Sequence, residues 1–176
     1  MTEPTNERLN RIRFLLTDVD GVLTDGRLHF DHEGNESKVF HVFDGAAYAY
    51  WHRAGFGSGF LSGRDSPPVQ HRATELRIEE IHLGHLDKLP VAMEIAQRRG
   101  LDMDEIAYVG DDLLDLPVLA AVGFAASVAN ARPEVKERVH YVTETPGGQG
   151  AVREIVELIL KAKGLWDGVV ASDGRG

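Results

Sequence analysis

Apolar residues fall in short runs along the chain, and helix-like segments separate them from start to finish. The runs at 12–16, 57–61, 78–83, 106–109, 124–128 and 141–143 have strand length. The intervening segments 45–54, 68–76, 88–99, 114–122, 133–138 and 150–163 read as helices. Strands alternating with helices predict an α/β fold, a three-layer Rossmann-like parallel sheet covered on both faces. One region breaks the alternation. Residues 26–31 and 36–43 read as two strands joined by His32-Glu33-Gly34-Asn35, whose Gly and Asn suit a tight reversal, so a small β-hairpin is expected over about residues 26–43. The tail 167–176 is rich in Gly and Asp and is expected to be flexible.

Size adds one constraint. A chain of 176 residues suits a single domain over 1–176, built around one core. Charge removes some partners: 28 acidic against 19 basic side chains give a net −9, which disfavours nucleic acid and anionic membranes. An anionic ligand would need a local cationic site. The absence of cysteine excludes disulfides and thiolate chemistry. The polar N-terminus lacks the apolar centre of a secretory signal, and no run approaches the ~20 apolar residues of a membrane span, so a cytoplasmic protein is expected.

In a parallel sheet ligands bind beyond the carboxyl ends of the strands, so the residues just after each apolar run carry the candidate chemistry. The first run ends in Asp18-Val19-Asp20-Gly21. On an extended strand both carboxylates project from one face, and one of two such close acids is expected to have a raised pKa. Phosphoryl transfer uses that asymmetry, one carboxylate attacking phosphorus while the other moves a proton. The fourth run ends in Gly110-Asp111-Asp112-Leu113-Leu114-Asp115, a second acidic cluster facing the same crevice, with hard oxygen donors that suit Mg²⁺. Ser62-Gly63-Arg64 ends the second run with a hydroxyl and backbone amides at an expected helix start, and Lys88 heads its own helix. Taken singly, Ser62 is a common helix cap, Lys88 a common surface residue, and Asp112 or Asp115 a helix-terminal acid.

The order Asp, Ser, Lys, Asp-Asp, each after its own apolar run, resembles the haloacid dehalogenase superfamily of phosphatases. The resemblance implies Asp18 as nucleophile, Asp20 as general acid and base, and Ser62 with Gly63 and Lys88 as the phosphate cradle. It also implies a Mg²⁺ ion held by Asp18, Asp111 and the Asp20 carbonyl, supported by Asp112 and Asp115. Only about twenty-five residues separate Gly21 from the helix expected near Gly45, too few for a cap domain.

Asp20-Gly-Val-Leu-Thr-Asp-Gly26, Phe40-x-x-x-Asp44-Gly45, Arg72, Gly110–Pro117 and Gly147-Gly148-Gln149-Gly150 together resemble one capless group, the 3-deoxy-D-manno-octulosonate 8-phosphate phosphatases. That implies a sugar-acid phosphate substrate met by Asp44, Gly45, Arg64, Arg72, Gly147 and Gly148. It also implies a homotetramer with active sites shared between protomers, the hairpin and residues 145–150 covering each crevice. The chain departs from the group at Phe40-His-Val-Phe-Asp-Gly-Ala-Ala-Tyr48, where Phe-Asn-x-x-Asp-Gly-x-Gly-Ile is usual. The sugar therefore stays open between octulosonate, a nine-carbon ulosonate 9-phosphate and another small phosphate. A phosphorelay receiver would place its acidic pair before the phosphoacceptor, the reverse of this order. A non-catalytic oligomerisation module of the same family would not need the intact acids.

Overall fold

The computed structural model describes residues 4–173. Six parallel strands form one sheet in the order β5-β4-β1-β6-β7-β8: β1 (Phe14–Thr17), β4 (Gly57–Leu61), β5 (Glu80–His82), β6 (Ile106–Val109), β7 (Phe124–Ser127) and β8 (Tyr141–Val142). Period-2 alternation decides which side each strand residue feeds. Phe14 and Leu16 point into one apolar layer with Leu61, Ile95, Tyr108 and Leu119, whereas Leu15 joins Trp51, Phe60, Val109 and Ile155 in the other. Helices α4 (Lys88–Arg99) and α5 (Leu116–Ala121) cover the first face; α2 (Val42–Arg53) and α7 (Ala151–Ala162) cover the second. The three-layer architecture follows, with no second domain among the described residues.

The chain runs outward from β1 to β4 and β5, then returns to β1's other side to lay down β6, β7 and β8. The order therefore reverses between β1 and β6, where an open α/β sheet makes its ligand crevice. In register, Thr17 stands opposite Val109, and Asp18 N donates to Val109 O at 2.9 Å. The residues after both strands are thus forced together.

Three elements differ from the sequence expectation. The hairpin is shorter: β2 (His29–Phe30) and β3 (Glu36–Ser37) make only two cross-strand pairs, and α2 already starts at Val42 with His41 as its cap. Its side chains are largely exposed, so little burial extends the ladder. The tail 167–176, expected to be flexible, is helical over its described part, within α8 (Trp166–Asp173), anchored by Trp166 against Tyr50 at 6.0 Å between ring centroids; positions 174–176 lie outside the described residues. A further helix, α1 (Asn6–Arg11), precedes β1, capped by Thr5 and pinned by buried Leu9. Among the described residues no helix is long and apolar enough to cross a membrane.

Candidate active site

At the floor of the crevice one ammonium holds two carboxylates. Lys88, on the first turn of α4 with its side chain 1% exposed, reaches Asp18 Oδ2 at 2.8 Å and Asp115 Oδ1 at 2.7 Å. Asp18 directly follows β1, and its Oδ1 accepts from Val19 N at 2.6 Å. Asp115 lies on a short 3₁₀ turn after β6 and is fully engaged: Oδ1 also accepts from the Tyr108 hydroxyl at 2.6 Å, while Oδ2 accepts from Asp111 N at 2.9 Å and Asp112 N at 3.1 Å. Asp112 caps this turn, accepting from Leu113 N at 2.8 Å. Two glycines make the packing possible. A Cβ on Gly21 would stand 2.1 Å from Asp111 Oδ2, and one on Gly110 would stand 2.5 Å from Asp115.

One ligand oxygen from each of Asp18, Asp111 and Asp115 falls within 4.8 Å of the others. Burial, then the negative charge of Asp115, pushes the Asp18 carboxyl up to about 7 against the pull of Lys88. Burial, then Asp18 and Asp115, pushes Asp111 up to about 8. Burial opposes the charge on Lys88, but Asp18 and Asp115 more than restore it, so its pKa is raised. The raised pKa expected of a close acid thus falls on Asp18, the expected nucleophile, and the like charge acting on it is that of Asp115. Three carboxylates facing one ammonium leave the pocket short of positive charge, and Asp111 Oδ1 is buried without a hydrogen-bond partner. Hard oxygen donors with a free lone pair fit Mg²⁺. Since both Asp115 oxygens are committed, Asp18 and Asp111 are the carboxylates available to a cation.

Above the floor stands a second, unforeseen network. Asp20, in the turn after β1, pairs through Oδ1 with Lys38 Nζ, and Arg64 Nε stands 3.8 Å from its Oδ2. Lys38 also pairs with Glu36 at 3.2 Å, and Glu36 accepts from Arg64 at 2.8 Å and from Ser66 Oγ at 2.6 Å. Lys38 and Glu36 come from the hairpin, two residues apart and hence on one side of an extended segment. That spacing was the signal available in the sequence.

The remaining expected residues divide. Ser62 follows β4 and is buried, its Oγ accepting from Arg64 N at 3.2 Å, with Gly63 next to it. The helix start expected there comes later: α3 (Pro67–Glu75) has Ser66 at its cap, so the Ser62 segment is a loop. Arg72 is directed elsewhere, bonded to Glu75 at 2.8 Å, over the Phe40 ring at 5.7 Å, and lying where a Gly45 Cβ would meet it at 2.6 Å. Gly45 thus makes room for the Arg72 side chain. Asp44, expected to face substrate, is 2% exposed and accepts from Arg153 N at 3.1 Å, capping the start of α7 from a neighbouring helix. Gly147 and Gly148 press onto the chain's own loop: a Cβ on Gly147 would lie 1.8 Å from Gly21 O, and one on Gly148 would lie 2.6 Å from Asp25 N. Asn130, also unforeseen, accepts from Gly147 N at 2.6 Å, and Gly148 N donates to Val22 O at 3.0 Å. The close approach expected there is to backbone, and it fixes the turn carrying Asp20.

The family described as haloacid dehalogenase-like hydrolase matches residues 71–155. The chain is 43% identical over 158 residues to 3-deoxy-D-manno-octulosonate 8-phosphate phosphatase KdsC of Haemophilus influenzae, covering 90% of this chain and 88% of that protein. It superposes with a TM-score of 0.93 at 37% identity on the 3-deoxy-D-manno-octulosonate 8-phosphate phosphatase of Moraxella catarrhalis, solved with magnesium, phosphate and KDO, covering 95% of this chain and 96% of that one. The cobalt-bound deoxy-D-mannose-octulosonate 8-phosphate phosphatase of Haemophilus influenzae gives a TM-score of 0.87 at 43% identity, covering 89% and 92%. With this identity sustained over about nine tenths of its length, the chain belongs to the KdsC family of haloacid dehalogenase-like hydrolases.

Proposed function

We propose that the protein is a Mg²⁺-dependent phosphatase that hydrolyses 3-deoxy-D-manno-octulosonate 8-phosphate in the cytoplasm through an aspartyl-phosphate on Asp18. The observation that carries this reading is the floor itself, where three carboxylates cluster around one buried ammonium that pairs with two of them. Asp18 is aimed by Lys88 and the Val19 amide, leaving a lone pair for phosphorus. As its oxygen bonds to phosphorus, the ester bond breaks and Asp20 delivers a proton to the departing sugar oxygen. Water then attacks the phosphoaspartate, Asp20 takes its proton, and inorganic phosphate leaves with Asp18 restored. Ser62, the Gly63 backbone and Lys88 face the phosphoryl oxygens. Asp18, Asp111 and the Asp20 carbonyl would hold Mg²⁺, whose charge offsets that of the transferring group.

The relatives' substrate supports the octulosonate assignment, and so does the placement of the divergent loop. Ala47 and Tyr48 are fully buried in α2, with the Tyr48 hydroxyl 2.9 Å from Thr17 Oγ1. Part of the departure from the family pattern is therefore repacked core. A Mg²⁺-supplemented panel of sugar phosphates tests the assignment. The eight-carbon acid sugar is expected to be turned over best, and preference for a nine-carbon ulosonate or a hexose phosphate would contradict it.

The hairpin and the start of α2 expose Phe30, Val39, Val42 and Phe43 at 57, 75, 73 and 58%. We infer that copies of this rim cover one another in a homotetramer with shared sites, as a two-pair hairpin is marginal alone. Light scattering should give four subunits; a fully active monomer would contradict it.

A further inference from the structure

We propose that Lys38 is the positioning residue for proton transfer, holding the Asp20 carboxylate by one oxygen so that the other faces the substrate. The inference rests on the phosphatase reading above and deepens it. Asp20 lies in a turn, outside any strand or helix that would fix its rotamer. Its Oδ1 is taken by Lys38 Nζ, whereas its Oδ2 is buried and makes no hydrogen bond. A carboxylate tethered at one oxygen, and met at the other only by Arg64 Nε at 3.8 Å without a hydrogen bond, is shaped to exchange a proton in a single direction.

The tether is itself built in. The Lys38 side chain is 1% exposed, rare for lysine, and its second partner is Glu36 at 3.2 Å. Glu36 is tied in turn to Arg64 and Ser66, so the ammonium cannot swing to solvent without breaking the hairpin's seat on the α3 cap. Two cations, Lys38 and Arg64, face two anions, Asp20 and Glu36. With charge balanced within this quartet, what Lys38 contributes to Asp20 is direction. Proton transfer gains of order 10²–10⁴ in rate depend on such placement.

The consequence is specific to the leaving group. p-Nitrophenolate departs without a proton, but a sugar alkoxide does not. Lys38→Met should therefore lower kcat/KM, which reports the steps through leaving-group departure, on an alkyl phosphate such as the octulosonate 8-phosphate by about 100-fold and on p-nitrophenyl phosphate by less than about 10-fold, with Lys38→Arg recovering much of the first loss. If Lys38 acts through Asp20, adding Lys38→Met to Asp20→Asn should cost little more on the alkyl phosphate, a double-mutant cycle that also guards against a simple folding defect. Equal losses on both substrates, no loss on either, or additive effects in the cycle would overturn the proposal while leaving the phosphatase reading intact. A wild-type protein inactive on every phosphate would overturn that reading, and the proposal with it.

Discussion

Two acidic clusters sit on the same sheet, and they are charged in opposite ways. At the edge, Glu80 on β5 accepts from Arg98 at 2.7 Å, from Arg99 at 2.9 Å and pairs with His82 at 3.0 Å. Burial works against its ionisation, yet the hydrogen bonds from Arg98, His82 and Arg99 prevail and hold its carboxyl at about 2. At the centre, Asp18 and Asp111 are pushed up to about 7 and about 8, because burial and neighbouring carboxylates outweigh one lysine. The edge cluster is electrostatically complete within the chain, whereas the central one is short of positive charge. An incomplete cluster costs stability, and a fold retains it where a cation and a phosphoryl group supply the missing partners.

That contrast can be broken by substitution. The largest expected effect is Asp18→Asn, which removes the proposed nucleophile and should reduce turnover at least about 10⁴-fold. Because it also removes one of three crowded carboxylates, thermal stability should hold or rise; a folded variant with near wild-type activity would refute the assignment of Asp18. Next comes the metal. EDTA should reduce turnover by about 10³-fold and Mg²⁺ should restore it, with Asp111→Ala weakening that recovery. Activity unchanged in metal-free buffer would count against the central cluster as a cation site.

The smallest effect belongs to the edge. Glu80→Gln should leave kcat unchanged but cost about 2 kcal/mol at neutral pH, as hydrogen bonds to charged groups are lost. A carboxyl held below its ordinary 4.5 stabilises the fold above that pH, and the contribution disappears as pH falls through about 2. Denaturant titrations should show the wild-type advantage shrinking between about 4.5 and about 2, and a constant difference would contradict the structural role.

The central cluster was legible because Asp18, Ser62, Lys88 and Asp111 each follow an apolar run, and strand ends in a parallel sheet converge whatever the loops do. The complete cluster was not, since Arg98 and Arg99 meet Glu80 only across the packing of α4 on the edge strand. Asp44 and Gly147 were legible as special positions, but the contacts they make within the chain were not. An acid that caps a helix far along the sequence and a glycine pressed on backbone become visible only when the chain is folded. Lys38 was missed because its partner Asp20 is reached only once the hairpin folds back over the turn. Helix α8 was hidden by small residues, its order depending on Trp166 finding Tyr50 and the Arg153 guanidinium, which lies 5.0 Å from the indole.

The central claim, that a cation-deficient floor makes Asp18 a covalent nucleophile, is tested most directly by a burst experiment with Asp20→Asn and p-nitrophenyl phosphate. This substrate needs no proton to leave, whereas in the proposed mechanism hydrolysis of the phosphoenzyme needs Asp20 as base. In the presence of Mg²⁺, rapid mixing should release nitrophenolate stoichiometric with sites before turnover slows, and mass spectrometry after an acid quench should find one phosphoryl group on the peptide containing Asp18. Linear release with no burst, or a phosphoryl group on any other residue, would contradict the account.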